Sequence, residues 1–131
     1  MKTMKIEIEV KPFEQMRYPT LGDYYYLADG TLKFEIAETG NSLYNKMILV
    51  HELIEQALTE LKGISTEEID QFDMVFENER RIGVHSSFAE PGFDLRAPYH
   101  NEHTLATSVE MMMCAYAGIP WQQYEADLND I

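Results

Sequence analysis

A chain of 131 residues with 23 acidic and 10 basic side chains carries a formal charge of −13, which opposes binding to nucleic-acid phosphates and to anionic lipid surfaces. With 45% hydrophobic and 25% charged residues, the proportions suit one globular domain over 1–131 that buries a core of its own. Cys114 is the only cysteine, no window approaches the ~18 apolar residues of a bilayer span, and Met1–Glu9 alternates charge where a signal peptide needs an apolar run, so a cytoplasmic protein is expected.

Residues 4–11 alternate apolar and charged side chains, the period-two signature of a strand with one buried face. Pro12 and Pro19 bracket an irregular stretch. Tyr24-Tyr25-Tyr26 then predicts a strand with one exposed ring, Asp29-Gly30 a tight turn, and Leu32, Phe34 and Ile36 a partner strand, giving a β-hairpin over about 23–38. Gly40-Asn41-Ser42 supplies a break and a cap. Beyond it, Leu43, Met47, Val50, Ile54, Ala57, Leu58 and Leu61 recur at helical spacing until Lys62-Gly63.

Ser65-Thr66-Glu67-Glu68 reads as a capping box opening a second helix over about 66–78. A long loop is expected over 79–98, rich in charge, Gly and Ser, with Pro91-Gly92 at its middle. Leu105, Val109, Met112, Met113 and Tyr116 mark a last helix over about 99–117, ended by Gly118-Ile119-Pro120, and 121–131 reads as a frayed acidic tail. Met111-Met112-Met113-Cys114 reads as core filling. The fold class is α+β: a small antiparallel sheet of about three strands against two long helices and a shorter one.

Within the first helix, His51 and Glu55 stand one turn apart on the stripe that also carries Tyr44 and Ile48. An imidazole and a carboxylate so placed can offer two ligands to one cation with no loop to order. They sit inside Met47-Ile48-Leu49-Val50-His51-Glu52-Leu53-Ile54-Glu55, where unpartnered polar groups are costly to bury, so the segment either lines a cleft or binds something. A third ligand is available in His103, on the side of the last helix shared with Ala106, Glu110, Met113 and Ala117. His100 stands in reserve, and His85 reads as a solvated loop residue. Two histidines and one carboxylate leave a coordination position for water, the composition of a catalytic zinc site; another divalent ion such as iron stays open.

A strand, a hairpin and a long helix bearing His51-Glu52-x-x-Glu55 resemble the core of a zincin-type metallopeptidase, over roughly residues 22–62, with the 99–117 helix in the place of the third-ligand helix. The zincin motif is His-Glu-x-x-His. The resemblance implies His51 as a ligand and Glu52 as the general base, with Glu55 standing where the second histidine of the motif belongs. It implies attack of an activated water on the amide carbonyl of a peptide or protein substrate, with Tyr99 or His100 stabilising the oxyanion. The contrasting expectation is a non-catalytic acidic interaction protein, of phage or mobile-element origin, whose metal site is structural or a relic.

Overall fold

The computed structural model describes residues 3–131 and contains a three-stranded sheet and four α-helices. The strands are β1 (Ile6–Lys11), β2 (Gly22–Tyr26) and β3 (Leu32–Ala37). The helices are α1 (Ser42–Leu61), α2 (Thr66–Arg81), α3 (His100–Ala117) and α4 (Trp121–Asn129). The α+β class holds.

β2 and β3 form the expected antiparallel hairpin, closed by the Leu27 N–H to Thr31 carbonyl bond and by Gly30 at φ 89°, which a side chain adopts only with strain. The sheet is nevertheless mixed. β1 pairs with β3 in parallel, placing Ile6, Ile8 and Val10 beside Leu32, Phe34 and Ile36, and the strand order is β1-β3-β2. Alternation carries no information about strand direction, and in β1 it does not mark a buried face either: Ile6, Ile8 and Val10, expected to be covered, are all exposed. Here the connection over 12–21 carries the chain past one strand position, about 10 Å, before β2 begins.

Asn41 caps α1 by accepting the Tyr44 N–H at 3.1 Å, and Ser65 with Glu68 forms the capping box of α2. α2 runs on to Arg81, and the following loop is pinned by a short turn at Pro91–Phe93. The segment expected to fray is α4, because Tyr124 has a core to enter: it is fully buried and edge-packed on Tyr44 at 4.9 Å between ring centres. Two apolar clusters result. One joins Tyr24, Leu32 and Phe34 of the sheet to Ile69, Ala97 and Tyr99; the other joins Tyr44 and Met47 of α1 to Cys114 and Tyr124.

The long helices do not bury the faces their apolar periodicity suggests. On α1, only Met47 of the expected stripe is fully buried; Leu43, Ala57 and Leu61 are exposed and Val50, Ile54 and Leu58 half-buried, while Tyr44, Ile48, His51, Glu52, Glu55 and Gln56 face inward. On α3, Leu105, Met111, Met112 and Tyr116 are exposed, and only Cys114 of the Met111–Cys114 run is fully buried. Helix α3 instead turns inward Glu102, His103, Ala106 and Glu110. α1 and α3 meet through their polar sides, where partners satisfy the charges.

Candidate metal centre

α1 and α3 run in opposite directions side by side, since His51 meets Glu110 while Glu55, one turn further along α1, meets His103, two turns earlier on α3. The structure thus brings His51, Glu55 and His103 into one buried group that could hold a metal ion. Three atoms converge. His51 Nε2 lies 3.2 Å from Glu55 Oε2 and 3.1 Å from His103 Nδ1, and the latter is 2.9 Å from the same Glu55 oxygen. Donors bound at zinc distances in tetrahedral array stand about 3.3 Å apart, so the spacing fits a small cation within a few tenths of an ångström.

The outward atoms of all three side chains are already engaged. His51 Nδ1 pairs with Glu110 Oε1, His103 Nε2 lies 3.1 Å from Glu90 Oε2, and Glu55 Oε1 accepts the Tyr24 hydroxyl at 3.1 Å. Glu110 is itself fixed by the Tyr124 hydroxyl, which donates to its Oε2 at 2.6 Å. Carboxylates that take up the far nitrogen of a ligating imidazole set its tautomer and orientation. The arrangement commits every outer atom and leaves the three inner ones facing each other.

Charge in this seam is strongly coupled. Burial opposes the charged form of His51, but its bonds to Glu110 and Glu55 prevail and raise it to about 11. His103 is raised to about 9 in the same way, burial being outweighed by Glu55 and Glu90. Glu55 is held down to about 2 by its two imidazole partners against the effect of burial. Glu52 goes the other way: burial first, then the neighbouring Glu55 charge, push its carboxyl well above the ordinary range.

The group lines a cavity of about 470 Å³ whose wall also includes Glu52, Tyr99, Asp73, Gly22 and Gly92. Two of these are glycines for reasons of space. A Cβ on Gly22 would collide with the Glu52 carboxyl, and one on Gly92 with the His103 ring. The loop therefore closes directly on His103, with Phe93 edge-on to its ring at 4.6 Å and Glu90 on its Nε2.

Other sequence candidates fall elsewhere. His100 turns its Nδ1 to the Gly92 carbonyl at 3.0 Å and stays outside the cluster. His85 is no free loop residue: it stacks on Phe76 at 3.9 Å and pairs with Glu79 at 3.0 Å. The Tyr99 hydroxyl lines the cavity but donates to Asp73 at 2.5 Å. Glu110, Glu90, Tyr24 and Tyr124 are additions that the sequence reading did not single out. Glu110 alone had a signal, lying two turns from His103 on the same side of α3.

Asp73 gives this cavity a pH-dependent cost. Burial, against the Tyr99 and Tyr18 hydroxyl bonds and with help from the Glu55 and Asp70 charges, raises its carboxyl to about 7 from 3.8. The folded state thus binds the proton more tightly than the unfolded chain, so stability is greatest below about pH 4 for this group and falls as pH rises toward 7. The shift corresponds to up to about 4 kcal/mol. Asp73→Asn is expected to remove this decline between pH 4 and 7 in urea unfolding; an unchanged slope of stability against pH would refute the assignment.

Comparison with protein-family models, with curated proteins and with solved structures found no match to this chain.

Proposed function

We propose that this chain is a zincin-like, metal-dependent hydrolase, with His51, Glu55 and His103 as metal ligands and Glu52 as general base, acting on an amide bond of a peptide or protein. The observation that carries the proposal is the convergence of two imidazole nitrogens and one carboxylate oxygen within 3.2 Å, with their remaining atoms already taken by Glu110, Glu90 and Tyr24. Two nitrogens and one oxygen with a free position favour zinc among the divalent ions. A zinc ion held there supplies Lewis acidity, acidifying a water and polarising a carbonyl.

The chain's own groups do the rest. His51 and His103 are oriented by Glu110 and Glu90, and Glu52, on the cavity wall against Gly22, accepts the water's proton and passes it to the leaving amine.

Metal analysis of protein purified without an affinity tag tests the ligand set. One zinc per chain is expected in the wild type, and none in His51→Ala or His103→Ala. No metal in the wild type after zinc supplementation overturns the reading. Glu52→Gln is expected to keep the metal while losing peptide hydrolysis by at least about a hundredfold; metal-loaded wild type without hydrolysis leaves a binding protein and defeats the enzyme reading.

A further inference from the structure

The apolar stripes of α1 and α3 point away from the protein's own core, and we propose that this outer face is the contact surface of a homodimer. The face carries Leu43, Ala57 and Leu61 from α1 and Leu105, Met112 and Tyr116 from α3; Met112 is 63% and Tyr116 96% exposed. Helices of 20 and 18 residues are about 30 and 27 Å long, and each is about 10 Å wide. Set side by side they present on the order of 600 Å² in projection, which approaches the ~800 Å² of accessible surface per partner in a standard interface.

Charge selects the occupant. In a chain of −13, the 18-residue α3 contains only two acidic residues, Glu102 and Glu110, and both are buried, Glu110 against His51 of α1. Its exposed side is Asn, Thr, Ser, Leu, Met, Ala and Tyr. A basic partner would find no carboxylate there to pair with. A second copy would meet a surface free of the charge that repels two such molecules elsewhere, and Met and Tyr are side chains that interface centres favour. On α1 the exposed charges, Lys46 and Glu60, are one of each sign. A two-fold axis through the face would set α1 and α3 of each copy against those of the other as a four-helix layer, a self-complementary closed contact.

The inference does not depend on metal, because none of the six residues lines the cavity or belongs to the cluster of His51, Glu55 and His103. Sedimentation velocity on the full chain, from 1 to 100 µM, tests it. A species of twice the chain mass is expected, its fraction rising with salt from 0.05 to 0.5 M as the remaining like charges are screened. Met112→Lys and Tyr116→Asp, both at exposed positions, are expected to weaken association roughly thirtyfold or more, with unchanged circular dichroism and thermal midpoint of the monomer. A monomer at every concentration overturns the proposal and leaves the face to a different protein. A dimer indifferent to both substitutions overturns it as well.

Discussion

Thermal unfolding of metal-free protein should move upward by about 10 °C when zinc is supplied at a thousandfold excess over its dissociation constant. The expectation follows from linkage, since a ligand that binds only the folded state at that excess adds about 4 kcal/mol, and a domain of this length gains roughly 3 °C per kcal/mol. The geometry adds a local reason. In the seam between α1 and α3, three carboxylates, those of Glu55, Glu90 and Glu110, hold two imidazoles, and Glu55, Glu110 and both rings are buried. A divalent cation placed among the inner atoms answers the surplus of negative charge in a region where water cannot. His51→Ala and His103→Ala should show no such shift. A wild-type midpoint that zinc leaves unmoved would argue against any metal at this place.

The second large effect belongs to Tyr124. It is fully buried in the cluster with Tyr44, Met47 and Cys114, and its hydroxyl holds the carboxylate that holds His51. Tyr124→Ala should cost about 3–5 kcal/mol in denaturant unfolding, the usual penalty for emptying a large aromatic site. Tyr124→Phe separates the two roles. The ring stays, Glu110 loses a donor, and about 1–3 kcal/mol should be lost. Zinc affinity measured by competition with a chelator should also fall about tenfold or more, because the support of a ligating histidine is loosened. Equal zinc affinity in Tyr124→Phe and wild type would show that α4 contributes to packing only.

Local signals in this chain carried well into the structure. The hairpin around Asp29-Gly30, the Ser65–Glu68 capping box and the ends of α1 and α3 at Leu61 and Ala117 all rest on interactions between residues a few positions apart, which a sequence displays directly. The parallel β1–β3 pairing and α4 depend on contacts distant in sequence. Tyr44 and Asp127, which share a 2.7 Å hydrogen bond, are one example.

Periodicity misdirected the packing of the long helices for a physical reason. It ranks Leu43, Val50, Ile54 and Leu61 above His51, Glu52 and Glu55 for burial because it weighs each side chain alone. In the fold, Glu110, Tyr24 and Glu90 compensate the polar set from other elements. His51 and Glu55 were legible as a pair because four-residue spacing is local, and His103 because few histidines exist to choose from. Glu90 sits in a loop with no period, so nothing in the sequence ties it to His103.

The polar seam between α1 and α3 also acts as an alignment key. Apolar helix faces tolerate sliding, since one leucine resembles the next, whereas a slip of one turn, about 5.4 Å, would leave His51 without Glu110 and Glu55 without His103 at a cost no neighbouring contact offsets. The residues proposed to bind metal would therefore also set the register in which the two longest helices can pair.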